Sequence, residues 1–214
     1  MCIKAIIFDF SGTLDNLDEV RLSAVEKALE EIKRDLSGEE RLNEAKEVIV
    51  EIFRLDNEMP SSSIKDIFQK AVTVRYGDHI CLEKLWDIYY AYRKAHRSLL
   101  GSFVNNFSVI NEYKMFILTR TREETIRELL KNYNIDEYFN IYRTRKPSTE
   151  TLKQIMKEHD LKPHECIMAG DDVTLDLMPA KMLGMKTILR SSYVDCFINN
   201  FDGIEKVLKD LKKV

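Results

Sequence analysis

The chain has 214 residues, 44% of them hydrophobic, and a formal net charge of −3 with acids and bases interspersed. That is enough apolar material for one large domain, or for a domain with a smaller one inserted, and a chain without clustered Lys and Arg argues against a nucleic-acid partner. Cys2, Cys81, Cys166 and Cys196 lie far apart with no C-x-x-C spacing. That is the pattern of reduced thiols in a cytoplasmic protein, and no window approaches the roughly 20 apolar residues of a membrane span.

The chain opens MCIKAIIFDFSGTL. The apolar run Ile3 to Phe8 ends on a carboxylate and then on a loop with Gly12, which reads as a buried strand with Asp9 where it emerges. From about Asn16 to Leu100 the pattern turns helical. Asn16 and Glu19 stand at capping-box spacing ahead of Val20, Ala24, Ala28 and Ile32, and Gly38 reads as a stop. Apolar residues recur at Ala45, Ile49, Ile52 and Phe53, and Ser63 opens a stretch through Ile67, Phe68, Ala71 and Val74 to Gly77. Leu82, Leu85, Tyr89 and Tyr92 carry a fourth helix, so a small bundle is expected. Trp86, Tyr89, Tyr90 and Arg93 are spaced as a core stripe beside a solvated face, and His79, His96, His159 and His164 show no ligand spacing.

After Gly101 strands and helices alternate. YKMFILT reads as a strand, and a helix opened by Thr121 with Glu124 follows it. YFNIYRT is a short strand, then comes a helix with Pro147 near its start. ECIMAG is a strand, LDLMPAKMLGM a helix, KTILR a strand, and residues from Gly203 on a last helix. Alternation of this kind predicts an α/β fold, a Rossmann-like parallel sheet in three layers. The expected domains are an α/β core of residues 1–15 and 101–214 and an inserted four-helix domain of residues 16–100.

In open parallel sheets, ligands bind at the carboxyl ends of the strands. Those ends carry Asp9, Thr119, Lys146 after the third strand, and Gly170-Asp171-Asp172, with Asp176 one turn further on. A strand-end Asp alone is commonly a cap or turn former. Four such groups in this order on four strand ends are a specific pattern.

IIFDFSGTL resembles the first motif of the haloacid dehalogenase-like hydrolases, an Asp, any residue, a second Asp, then Gly-Thr-Leu. FILTRT resembles the second motif, RKPSTETLKQIM the third, and IMAGDDVTLDLMPAKMLGMKTI the fourth. The resemblance implies that Asp9 attacks phosphorus and forms an aspartyl phosphate, splitting one displacement into two. It implies magnesium held by Asp9, the backbone carbonyl of Ser11 and Asp171, with Asp176 as the supporting acid and Asp172 as a possible second. Lys146 would offset charge and hold the phosphoryl group, whose oxygens Thr119, Arg120 and the first loop, Gly12 and Thr13, would bind.

Ser11 departs from the family pattern. The phosphatases carry there an Asp that protonates the leaving alcohol and later activates water, assistance worth about 10²–10⁴-fold. Ser provides neither acid nor base near neutral pH, so slow turnover of alkyl phosphates is expected, with acyl or aryl phosphates favoured. Two alternatives stand beside this: a phosphate- and metal-binding protein with little turnover, and a phosphonatase-like enzyme drawing an imine-forming lysine from the insertion. The resemblance gives the insertion the role of a cap, with hinges near residues 16–18 and 100–106. The expected partner is a small phosphorylated substrate, with no nucleic acid, no membrane, and a monomeric or dimeric protein.

Overall fold

The computed structural model describes residues 2–59, 62–144 and 149–190, with Ile204 and Leu208 beyond them. In chain order, β1 (Ala5–Phe8) precedes α1 (Leu17–Leu29), α2 (Gly38–Glu58), α3 (Ile64–Tyr76) and α4 (Leu82–His96). Two short helices follow, α5 (Gly101–Asn105) and α6 (Phe107–Ile110), then β2 (Lys114–Thr119), α7 (Glu123–Lys131) and β3 (Phe139–Arg143). The last described elements are α8 (Thr149–Glu158), β4 (Cys166–Gly170), a π-helical turn at Val173–Leu177 running into α9 (Met178–Met182), and β5 (Lys186–Leu189). Among the described residues no helix is long and apolar enough to cross a membrane.

The five strands among the described residues are all parallel, in the order β3-β2-β1-β4-β5. The central strand explains the unbroken apolar run of the sequence. Every residue of β1 is buried, because both faces of the sheet are covered. Ile6 and Phe8 pack with Met115, Ile117 and Ile167 beneath Ile126 and Leu130 of α7. Ala5 and Ile7 point the other way, to Phe116, Leu118 and Met168 beneath Leu152 and Ile155 of α8. This is the three-layer α/β architecture expected from the alternation, and the two-residue side-chain period of a strand assigns each residue to its layer.

The chain divides into two compact units, Met1–Asn16 with Ser98–Val214, and Leu17–Arg97. Ser98 to Leu100 stay with the α/β unit because they run antiparallel to Leu14–Asn16. The N–H of Asn16 donates to Ser98 (3.1 Å), that of Leu100 to Leu14 (2.9 Å), and that of Ser98 to the Asn16 carboxamide oxygen (2.8 Å). The helical unit has its own core, in which Ala24, Val25, Ala28 and Leu29 of α1 meet Ala45, Val48, Ile52 and Leu55 of α2. Phe68 of α3 and Tyr89 of α4 stack at its centre with ring centroids 4.4 Å apart.

Several helix boundaries differ from the sequence expectation. Gly38 does not stop a helix but begins α2, since Ser37 before it forms a capping box with Glu40. The first helix ends nine residues earlier, at Leu29. Ser63 caps α3 as its spacing predicts, here with Asp66, and Gly77 closes that helix at φ +82°. Residues 100–106, expected as a loop, are largely helical as α5. Thr121 does not cap α7, whose N-cap is Arg122. Pro147, Cys196 and most of the helix expected from Gly203 on lie outside the described residues; Ile204 and Leu208 are helical and buried against the sheet.

Candidate active site

The sheet delivers the acids to one edge. β1 ends at Phe8, yet the N–H of Asp9 still donates to the carbonyl of Ala169 (2.8 Å), so the ladder fixes the residue just past the strand. Its side chain is 5% exposed. β4 ends beside it, bringing Asp171 alongside, and Asp176 returns after the π-helical turn. One carboxylate oxygen from each of Asp9, Asp171 and Asp176 lies within 4.8 Å of the other two. The Thr13 hydroxyl, fully buried, stands 3.1 Å from Asp9 Oδ2 and 3.2 Å from Asp171 Oδ1. It has one proton to donate, so it serves the two carboxylates in alternation. Negative charges gathered this closely repel one another. A divalent cation relieves that repulsion, and an all-oxygen donor set fits a hard ion such as magnesium.

The loop after Asp9 turns at Gly12, whose φ of +83° is one that side chains with a Cβ rarely adopt. Both peptide groups of Gly12 are tied down: its N–H donates to Asp15 Oδ1 (2.9 Å), and its carbonyl accepts from Arg190 Nη1. Asp15 is fully buried. Ser11, between Phe10 and Gly12, is partly exposed, and its hydroxyl lies 3.3 Å from that of Thr121.

Gly170 explains how Asp176 comes so close. A Cβ on Gly170 would lie 2.6 Å from both Cβ and Oδ2 of Asp176, so only glycine leaves room for this carboxylate. The π-helical turn helps: the N–H of Leu177 reaches back five residues to Asp172 O (3.3 Å), widening the backbone where Asp176 points inward. Asp172, expected as possible metal support, opens this turn. Its Oδ1 accepts from the N–H groups of Thr174 and Leu175, both at 2.8 Å.

The structure thus brings together Asp9, Thr13, Asp171 and Asp176 at one edge, with Ser11 and Gly12 in the adjoining loop. Thr119, 2% exposed at the end of β2, accepts the N–H of Thr121 on its hydroxyl (3.1 Å). Arg120 is exposed. Lys146 lies outside the described residues. Three neighbours escaped the sequence reading. Arg190 follows β5 directly, and taking the rim residue of KTILR as was done for the other strands finds it. Thr121 looks like a helix cap in sequence, and Asp15 like a loop acid. Their work becomes visible only once the Gly12 turn is formed.

Residues 6–190 match the family model of the haloacid dehalogenase-like hydrolases. Comparison with curated protein sequences gives no match. Among solved structures, the chain is similar to a HAD hydrolase from Bacillus subtilis solved with magnesium bound, at TM-score 0.77 and 15% identity, covering 98% of this chain and 100% of that one. It is similar to a predicted phosphoglycolate phosphatase from Haemophilus somnus, at TM-score 0.64 and 14% identity over 96% and 97% of the two chains. It is also similar to the L-2-haloacid dehalogenase of Xanthobacter autotrophicus, at TM-score 0.63 and 16% identity over 90% and 79%. At these identities the likeness is one of fold.

Proposed function

The chain belongs to the haloacid dehalogenase-like hydrolase family, and from that premise we propose that it is a magnesium-dependent phosphatase or phosphotransferase acting on a small phosphorylated metabolite. The observation that carries this reading is the trio of carboxylate oxygens from Asp9, Asp171 and Asp176 within 4.8 Å. A dehalogenase attacks a carbon with one carboxylate and has no need of two more beside it, whereas phosphoryl transfer from a dianion needs a cation beside the nucleophile. Asp9, Asp171, Asp176 and the carbonyl of Ser11 would hold magnesium, which supplies the positive charge that lets an anionic nucleophile approach an anionic phosphoryl group.

Asp9 provides the nucleophilic oxygen. Its attack forms an O–P bond as the P–O bond to the leaving group breaks, and water then returns the aspartyl phosphate to carboxylate and inorganic phosphate. The Thr13 hydroxyl holds Asp9 Oδ2 at 3.1 Å and orients the carboxylate. Thr119, Arg120 and Lys146 contribute hydroxyl and cationic groups toward the phosphoryl oxygens. Ser11 provides no proton at neutral pH, and its neighbour Thr121 is another hydroxyl, so the leaving group departs unaided. Phenolates and carboxylates leave readily on those terms; alkoxides do not.

The same pair of hydroxyls supports a second reading, a phosphate- and metal-binding protein with little turnover. An imine-forming lysine, by contrast, needs desolvation to lower its pKa. Of Lys27, Lys33, Lys46, Lys65, Lys70, Lys84 and Lys94 in the helical unit, none is buried, which leaves the phosphonatase reading without support. Hydrolysis of p-nitrophenyl phosphate and acetyl phosphate with and without magnesium separates the first two. Cation-dependent turnover, with phosphate recovered on Asp9 by mass spectrometry, supports the enzyme. Cation and phosphate binding without turnover supports the binder, and turnover that leaves Asp9 unmodified defeats the mechanism.

A further inference from the structure

The helical unit holds a group of cations that the proposed chemistry does not use. Tyr89 of α4 is fully buried, stacked on Phe68, and its hydroxyl has no hydrogen-bond partner. One turn further along α4, the Arg93 guanidinium lies over the Tyr89 ring, 5.2 Å from its centroid, and its Nε is buried and unpartnered. Arg21 of α1 contributes a second buried, unpartnered Nε and rests over the Phe53 ring at 5.1 Å. Burial draws the Arg93 guanidinium below its ordinary range, the Tyr89 phenol works against that, and the charges of Arg21 and Arg97 add to it. Among the described residues no carboxylate pairs with Arg93. Arg21 reaches only the half-exposed Asp18, at 3.8 Å.

Such an arrangement is unfavourable as it stands. A buried donor without a partner forfeits its hydration, and a desolvated cation beside a second one adds repulsion. Phe in place of Tyr89 and Met in place of Arg93 would fill the same space without either cost. What resolves both costs at once is an oxyanion: it accepts from guanidinium forks and from a phenol hydroxyl together. We propose that Arg21 and Arg93, with the Tyr89 hydroxyl, form an oxyanion site within the helical unit that takes the phosphate or carboxylate group of a small molecule. This site stands on the helical unit alone and does not depend on the hydrolase reading.

The chain's single tryptophan, Trp86, is the reporter, its ring 5.5 Å from that of Tyr89. Protein stripped of divalent cations is titrated with inorganic phosphate in one arm and malonate in the other, at ionic strength held constant with sodium chloride. Trp86 emission is expected to change saturably in at least one arm, and the tighter arm identifies the phosphate or carboxylate source. Arg93→Gln is expected to weaken that binding about 10-fold or more. Tyr89→Phe is expected to weaken it by less while raising the anion-free Tm by about 2–4 °C. No saturable change in either arm overturns the site, as does undiminished affinity in Arg93→Gln. If Arg93→Gln does not fold, Tyr89→Phe decides: a lower Tm or unaltered binding overturns the proposal.

Discussion

At the sheet edge, three carboxylates lie within 4.8 Å of one another beside one buried hydroxyl, that of Thr13. In the helical unit Arg93 shares its surroundings with Arg21 and a second buried hydroxyl, that of Tyr89. Each unit gathers like charge, of opposite sign. The two differ in how the charge is held. The acids hang on a ladder and a mesh of backbone hydrogen bonds, from the Asp9 N–H to the Gly12 turn. The arginines reach in on long side chains from two helices and rest on aromatic faces. Rigid placement of oxygen donors suits a small ion with strict geometry, while flexible guanidinium forks suit a polyatomic anion.

The largest test of that contrast is Asp9→Asn. Removing the nucleophile is expected to lower kcat on p-nitrophenyl phosphate by about 10⁴-fold or more. Relief of the carboxylate repulsion is expected at the same time to raise the cation-free Tm by about 2–4 °C. A variant that is both inactive and less stable would show that the acids are part of the scaffold and not a charge held for a cation. Next in size is Ser11→Asp. Supplying the absent acid is expected to raise turnover of alkyl phosphates by about 10²–10⁴-fold, and that of p-nitrophenyl phosphate much less. Equal gains on both substrates would mean that proton delivery is not what Ser11 withholds.

The sheet was legible because a strand buried on both faces has to be apolar throughout: Ile3 to Phe8 and ECIMAG announce their own depth. The acids were legible for a related reason, since a carboxylate directly after such a run has only the rim to occupy. Helix ends were less so. Gly38 is a common stop residue, and its role at the start of α2 depends on Ser37 and Glu40, which compete with it as local signals. Thr121 stands at capping-box spacing with Glu124, but its hydroxyl lies beside that of Ser11, 110 positions earlier in the chain. Arg93 reads as the solvated end of a core stripe, because spacing along one helix says nothing of what α1 brings to meet it. Local pattern gives depth and period; pairing across the chain requires the fold.

Gly170→Ala tests the rigid side of the comparison. The added Cβ would lie 2.6 Å from Asp176 Cβ, and both belong to buried, hydrogen-bonded backbone that cannot yield. Asp176 is therefore expected to swing out of the group. Magnesium affinity, read by calorimetry, should fall about 10- to 100-fold, the usual consequence of displacing a supporting ligand, while the far-UV spectrum stays unchanged. Unchanged affinity would remove Asp176 from the cation site and leave two carboxylates to hold the ion.

The smallest effect separates paired charge from stored charge within the helical unit. Glu44 accepts from Arg75 Nε (2.9 Å) and from the Tyr76 hydroxyl (2.6 Å), and these two bonds hold its carboxyl at about 2 against an ordinary 4.5. A carboxyl depressed on folding stabilises the native state fully above its unfolded value, and that contribution fades as pH falls through the folded one. Taken whole, the displacement is worth about 3 kcal/mol, but the pair is partly exposed and solvent screens it to ~1 kcal/mol or less. Glu44→Gln is thus expected to lower Tm by up to about 2–4 °C at neutral pH, a gap that narrows below pH ~4.5 and closes below pH ~2. Arg93→Met should do the reverse, raising Tm across the same range, because its charge has no carboxylate partner to lose. If both substitutions shift Tm in the same direction, the distinction between a paired cation and one held for a ligand fails in this unit.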